Sequence, residues 1–224
     1  MLLTIDIGNT NIKIGVYQGE QLVRHWRIAT QRFRLADEYA VLVRGLMSLS
    51  QFRLEQITGC AISCVVPPLT SQFRELARTY LHVEPVFASL ATANGIRFDV
   101  ITGDGVYVGG AIAPGIGISA EALFSAAARL YQVELERPAQ VIGKTTVQYM
   151  QSGLILGYTG LVEGLVRRME EELGTACTVI ATGGLADVIA SETDAVDLVE
   201  PYLTLEGLRL IHALASPSGA QESR

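Results

Sequence analysis

A chain of 224 residues, 49% hydrophobic and 18% charged, is too apolar for disorder and long enough for one large domain or two small ones. Its 17 basic against 23 acidic residues leave a net charge of −6, so a polyanion surface would need a local basic patch that the composition does not supply; nucleic acid is excluded as the main ligand. Cys60, Cys64 and Cys177 are odd in number and sit in apolar stretches, which argues against a disulfide scaffold or metal knuckle and for small buried hydrophobes.

The first residues, Met1-Leu2-Leu3-Thr4-Ile5-Asp6, enter a strand pattern with no basic leader and no cleavage site, so the expected compartment is the cytoplasm. Three strands are predicted in succession, Leu2 to Ile7, Asn11 to Tyr17 and Leu22 to Ile28, joined by turns at Gly8-Asn9 and Gln18-Gly19-Glu20. Helical spacing follows over Leu35 to Leu46, then a continuous apolar strand over Ile57 to Val66 that Pro67-Pro68 ends. A helix over Ser71 to Leu81 and a strand over Val83 to Phe87 complete an α/β unit.

The second half partly repeats the theme. Ile96 to Ile101, the turn Gly103-Asp104-Gly105 and Val106 to Ile112 form a hairpin, and Ser119 is expected to cap a helix over Ala120 to Tyr131. The uncharged run Thr145 to Val162 is broken by polar residues and glycines and reads as part of a buried helix, Thr146 to Leu173, so no membrane segment is predicted. Gly153, Gly157, Gly160 and Gly164 share one face of that helix, and their cost in helix propensity predicts close backbone approach to another element, within the chain or across a dimer interface. A short strand, Thr178 to Thr182, runs into Gly183-Gly184, and Thr204 is expected to cap a last helix, Leu205 to Leu214. The organisation predicted is an N-terminal lobe over residues 1–90, a C-terminal lobe over 96–215 and a frayed tail over 216–224.

The strongest local chemistry is Asp6-Ile7-Gly8-Asn9-Thr10-Asn11, a carboxylate near the end of a strand followed by a glycine turn. Gly8 lets the backbone approach a ligand, the next amides and the Thr10 hydroxyl can donate to phosphate oxygens, and Asp6 can hold Mg²⁺ or its water shell. An ordinary hairpin turn would use the same residues. Gly143-Lys144-Thr145-Thr146 is no P-loop, because the glycine required five positions earlier is Pro138. No G-x-G-x-x-G follows a strand. Gly183-Gly184 suits a purine stacking on bare backbone, or a plain strand-to-helix turn. His25, His82 and His212 are scattered without ligand spacing.

Taken in order, Asp6 to Asn11, Ser63-Cys64-Val65-Val66-Pro67, Gly105 to Gly115, Ile142 to Thr146, Met150 to Gly153, Gly157 to Gly164 and Ala181 to Ala186 resemble the type III pantothenate kinases, and Leu203 to Leu208 resembles the family's C-terminal segment. The resemblance implies an α/β fold of the actin/sugar-kinase (ribonuclease H-like) type, two related lobes with a nucleotide cleft between them. It also implies a homodimer that uses ATP and Mg²⁺, with a monovalent cation such as K⁺, to phosphorylate pantothenate in coenzyme A biosynthesis. By position, Asp6, Gly8, Asn9, Thr10 and Asn11 correspond to the first phosphate motif, with Asp6 the metal ligand; Gly183 and Gly184 correspond to the adenosine motif, and Gly109 and Thr146 to pantothenate contacts.

One departure stands out. Between Asn94 to Val100 and Gly103 to Tyr107 the family carries about thirty more residues, enough for a helix and a strand. They hold a Gly-x-Asp-Arg sequence, source of the general base and the carboxylate clamp, and a second phosphate motif, Asp-x-Gly-Thr; no Asp-Arg pair occurs in this chain. Asp99 and Asp104 are the replacement bases to consider, with turn chemistry as their plainer role. Two alternatives stand beside the kinase. One is a non-catalytic nucleotide-binding or regulatory member, like relatives described as Bvg accessory factors; the other is a kinase of the same superfamily acting on a sugar or another acid.

Overall fold

The structure is a computed structural model that describes residues 1–88, 96–126 and 133–215. The end of the helix expected to reach Tyr131 and the tail from Ser216 lie outside the described residues. Contacts divide the chain into two compact units, Met1–Thr92 with Tyr202–Arg224, and Ala93–Pro201.

The first unit is built on β1 (Leu2–Ile7), β2 (Asn11–Gln18), β3 (Gln21–Ala29), β4 (Gly59–Cys64) and β5 (Val86–Ala88), ordered β3-β2-β1-β4-β5. The two tight turns make β1, β2 and β3 an antiparallel meander. β4 and β5 are reached through helices and therefore pair parallel. Strand alternation puts Leu3, Ile5, Ile7, Ile12, Ile14, Val16, Cys60 and Ile62 into one core with Tyr39, Val43 and Met47 of α1 (Ala36–Leu49) and Phe73 and Leu76 of α2 (Pro67–Tyr80). Pro67 and Pro68, expected only to end a strand, also start α2 in its first turn, where a missing N–H costs nothing. Burial pushes the Cys60 thiol up to about 12, so it behaves as an inert hydrophobe, whereas Cys64 and Cys177 are half-buried.

In the second unit β6 (Ile96–Ile101) and β7 (Tyr107–Ala113) form the expected hairpin. Gly110 faces Asp99 there, and a Cβ on it would meet the Phe98 carbonyl oxygen at 1.9 Å, so no larger residue fits this backbone. The next helix, α3 (Ile116–Ala126), starts before the expected position, so Ser119 lies inside it and pairs with the Tyr158 hydroxyl instead of capping. The expected long helix is broken into α4 (Thr146–Gln151), a π-helical turn over Ser152–Leu156 and α5 (Gly157–Leu173). Gly153 lies in that turn, and a Cβ on Gly153, Gly157 or Gly160 would meet nothing within 4 Å. The close approach predicted for these glycines is therefore not made among the described residues. The unit is completed by β8 (Ile180–Ala181), α6 (Ala186–Ala190) and β9 (Leu198–Val199) around a small core of Ile116, Leu154, Ile155, Tyr158, Val162 and Ile189.

The chain then returns to the first unit as α7 (Leu203–Ala215), a helix that the sequence boundaries place with the second lobe. It covers the sheet face opposite α1 and α2. Thr204 reaches Asp6, Leu205 lies over Gly15 beside Thr4, and His212 lies over Gly59 beside Leu2. From Thr204 to His212 a helix rises about 12 Å and from Asp6 to Leu2 a strand runs about 13 Å, so α7 lies antiparallel along β1. Two glycines admit it: a Cβ on Gly15 would sit 3.0 Å from a Leu205 methyl, and one on Gly59 would sit 2.5 Å from His212 Nε2.

Burial holds the His212 imidazole below its ordinary value of 6.5. The unfolded chain therefore binds this proton more readily than the folded one. The stability carried by the neutral ring is complete above its unfolded value and is lost as pH falls below it. The melting advantage of the wild type over a His212→Asn variant should accordingly shrink between about pH 8 and about pH 5.5. An advantage constant across that range would contradict the assignment.

Candidate functional site

Asp6 is the penultimate residue of β1, on the face that α7 covers, and Ile7 after it points back into the core. Beyond it the chain turns through Gly8, and Asn9, Thr10 and Asn11 are exposed. Three bonds hold this turn. The Gly8 N–H donates to the Asn11 carbonyl at 3.0 Å, the Thr30 N–H to the Thr10 carbonyl at 2.9 Å, and the Thr30 hydroxyl to the Gly8 carbonyl at 2.7 Å. The turn thus has a fixed backbone and an open outer surface, the condition for a preorganised anion site. A Cβ on Gly8 would lie 3.0 Å from the Asn11 carbonyl oxygen, so the close turn favours glycine. Mg²⁺ commonly takes one or two carboxylates and completes its shell with water and phosphate oxygens; the half-buried Asp6 carboxylate beside an exposed turn fits that requirement. Among the described residues no cluster of three or more His, Cys, Asp or Glu could hold a metal by protein ligands alone.

The remaining residues expected to bind ligands belong to the second unit. Gly183 and Gly184 form the turn between β8 and α6, and Gly183 has φ of 114°, a conformation that disfavours any side chain. Gly109 is in β7 and Thr146 opens α4. Thr146 lines an open, mainly apolar cavity of about 450 Å³ with Ser119, Leu123, Tyr149, Met150 and Leu154; Gly109 does not line it. The segment Gly143 to Thr146 is a helix entry: Thr145 Oγ1 accepts from the Gln148 N–H at 3.3 Å, and Gln148 Oε1 accepts from the Lys144 N–H at 2.7 Å. Asp99 is paired with Arg97 at 2.7 Å. The Asp104 carboxyl, bonded by the Thr102 hydroxyl in an exposed turn, is held below its ordinary value, which weakens it as a base.

Sequence reasoning missed what surrounds Asp6. Thr204, expected as a helix cap, donates its hydroxyl to Asp6 Oδ2 at 3.2 Å. Lys13 and Ser63 flank Asp6 in register on the neighbouring strands. The Ser63 hydroxyl is fully buried and has no partner among the described residues. The pairing of β1 with β2 was readable from the turn; the approach of β4 and α7 was not, because both contacts are long-range.

The sequence pattern described as type III pantothenate kinase matches residues 2–98 and 91–168. A type III pantothenate kinase of Roseiflexus sp. (strain RS-1) is 58% identical over 252 aligned positions, covering 96% of this chain and 99% of the relative. One from Myxococcus xanthus (strain DK1622) is 40% identical over 250 positions, covering 95% and 98%. These alignments are longer than the 224 residues here, so the relatives hold positions with no counterpart in this chain. The two matched stretches overlap at residues 91–98. Among solved structures, the activator of the 2-hydroxyisocaproyl-CoA dehydratase from Clostridium difficile with bound ADPNP is similar at a TM-score of 0.55 and 12% identity, covering 100% of this chain and 98% of that one. Component A of the (R)-2-hydroxyglutaryl-CoA dehydratase of Acidaminococcus fermentans is similar at 0.53 and 14%, covering 98% and 99%. The fold is α/β of the actin/sugar-kinase type.

Ser63 offers a direct check on the neighbourhood of Asp6. Replacing a buried hydroxyl that has no partner among the described residues removes a desolvation penalty, so Ser63→Ala should leave stability unchanged or raise it by up to about 1 kcal/mol in denaturant melts. A loss above about 2 kcal/mol would show that the hydroxyl is engaged.

Proposed function

Because the chain belongs to the type III pantothenate kinase family, we propose that its Asp6 loop binds the phosphates of Mg²⁺-ATP for phosphorylation of pantothenate in coenzyme A biosynthesis. The observation that carries this reading is the loop itself: a half-buried carboxylate at a strand end, followed by a turn with a fixed backbone and exposed Asn9, Thr10 and Asn11. In this reading Asp6 holds Mg²⁺, and the amides of the turn with the Thr10 hydroxyl donate to phosphate oxygens. The bound ion supplies neutralisation of the charge that develops on the transferred group. Gly183 and Gly184 present bare backbone to the adenine ring, and Thr146 and Gly109 contact pantothenate. The homodimer, the cytoplasm and a monovalent cation such as K⁺ belong to the same proposal.

A second reading, a non-catalytic nucleotide-binding member, rests on the absence of any Asp-Arg pair from this chain. Asp99 is engaged by Arg97 and Asp104 is a weakened base, so neither replaces the missing group well. Loss of a general base alone commonly costs about a hundredfold or more.

Calorimetric titration with Mg²⁺-ADP should show binding that Asp6→Ala weakens roughly tenfold or more. A coupled assay should give pantothenate turnover at least about a hundredfold below that of the Roseiflexus relative measured alongside. Undetectable nucleotide binding would contradict the proposal. Binding with turnover at background would select the second reading, and turnover equal to the relative's would exclude it.

A further inference from the structure

We propose that α7 is a positioning element of the nucleotide site, and that the Thr204 hydroxyl orients the Asp6 carboxylate. The inference rests on the reading of Asp6 as the metal-binding carboxylate. It starts from a local conflict. Threonine is a poor residue for a helix interior and a good one for an N-cap. Yet α7 begins at Leu203, the Tyr202 carbonyl accepts from the Glu206 N–H at 3.0 Å, and Thr204 lies within the first turn. Its hydroxyl points across to Asp6 Oδ2 at 3.2 Å, 198 residues away in the chain.

The geometry on both sides of Thr204 is constrained. Behind it, Leu205 and Leu208 are buried against the sheet, with Leu205 seated over Gly15. Ahead of it, the Tyr202 hydroxyl lies 2.7 Å from His25 Nε2 and the two rings meet at a tilt with centroids 4.4 Å apart, which ties the residue before the helix to β3. The first turn of α7 is therefore fixed at both ends, and the hydroxyl it carries cannot drift from the carboxylate. Asp side chains rotate broadly about their last torsion, so a carboxylate at a strand end has no preferred orientation of its own. One charge-assisted bond from a rigid donor selects an orientation, and the positive end of the helix dipole favours the charged carboxylate at the same place. A carboxylate ordered before the ion arrives does not lose that freedom on binding. Thr204 touches neither ion nor nucleotide in this arrangement and acts through Asp6.

The test compares four chains by calorimetric titration with Mg²⁺-ADP and with ADP in the presence of a chelator: wild type, Asp6→Asn, Thr204→Val and Thr204→Ser. Thr204→Val keeps the side-chain shape and removes the donor; Thr204→Ser keeps the donor. The expected result is that Thr204→Val weakens Mg²⁺-ADP binding roughly tenfold while Thr204→Ser stays near wild type. The difference should vanish when the chelator removes Mg²⁺, which a merely structural role would not produce. Thermal melts check that all four chains fold, and Thr204→Ala replaces the valine variant if that one does not. If Thr204→Val binds as tightly as wild type while Asp6→Asn is weakened, the positioning role is overturned and the nucleotide reading stands. Unchanged binding in both variants, or no binding by wild type, overturns the nucleotide reading and the positioning role with it.

Discussion

The close seat of α7 on the back of the five-stranded sheet is the constraint on which the first unit depends. Gly15 and Gly59 leave no Cβ under Leu205 and His212, and a side chain at either position would force the α7 side chains packed there to shift. A displaced helix would also carry Thr204 away from Asp6, since both ends belong to the same rigid rod. Gly59 thus couples a packing requirement at the far end of β1, and Gly15 one beside Thr4, to the orientation of the Asp6 carboxylate. The front face, packed by α1 and α2, supplies the larger apolar core; the back face gives the site its second support.

The first half of the molecule was largely legible from its residues. Period-two alternation and glycine turns predict β1, β2 and β3 within a residue or two at each end, because meander contacts are local. From sequence the double proline signals only a stop, although the rigidity that ends β4's segment also suits the first turn of α2. The glycine series after Thr146 misled in a different way. Its spacing implies a uniform helical period, but the π-helical turn over Ser152–Leu156 adds a residue to one turn and changes which side chains share a face.

The site was legible in part. Asp6, Gly8 and the exposed turn announce themselves through residue type and spacing. Gly15, Gly59, Ser63 and Thr204 do not, since their roles arise only when strands and helix distant in sequence meet. Gly59 in particular reads as an unremarkable residue at the start of an apolar run. The family resemblance over Leu203 to Leu208 pointed to that segment without saying what it does, and the bond to Asp6 supplies a physical reason for a threonine there. The matched stretches overlap at residues 91–98, and Asp99 and Asp104 lie within the second of them.

The most direct measurement of the central claim is native-state hydrogen exchange across the first unit. If α7 is part of the packed structure that holds Asp6, amides of Leu205 to His212 should open only with the core of β1 and β4, at the same free energy and with the same denaturant dependence. Exchange of α7 through a separate, low-energy opening, while Ile5 and Ile62 stay protected, would contradict the account and reduce the helix to a loosely attached cover.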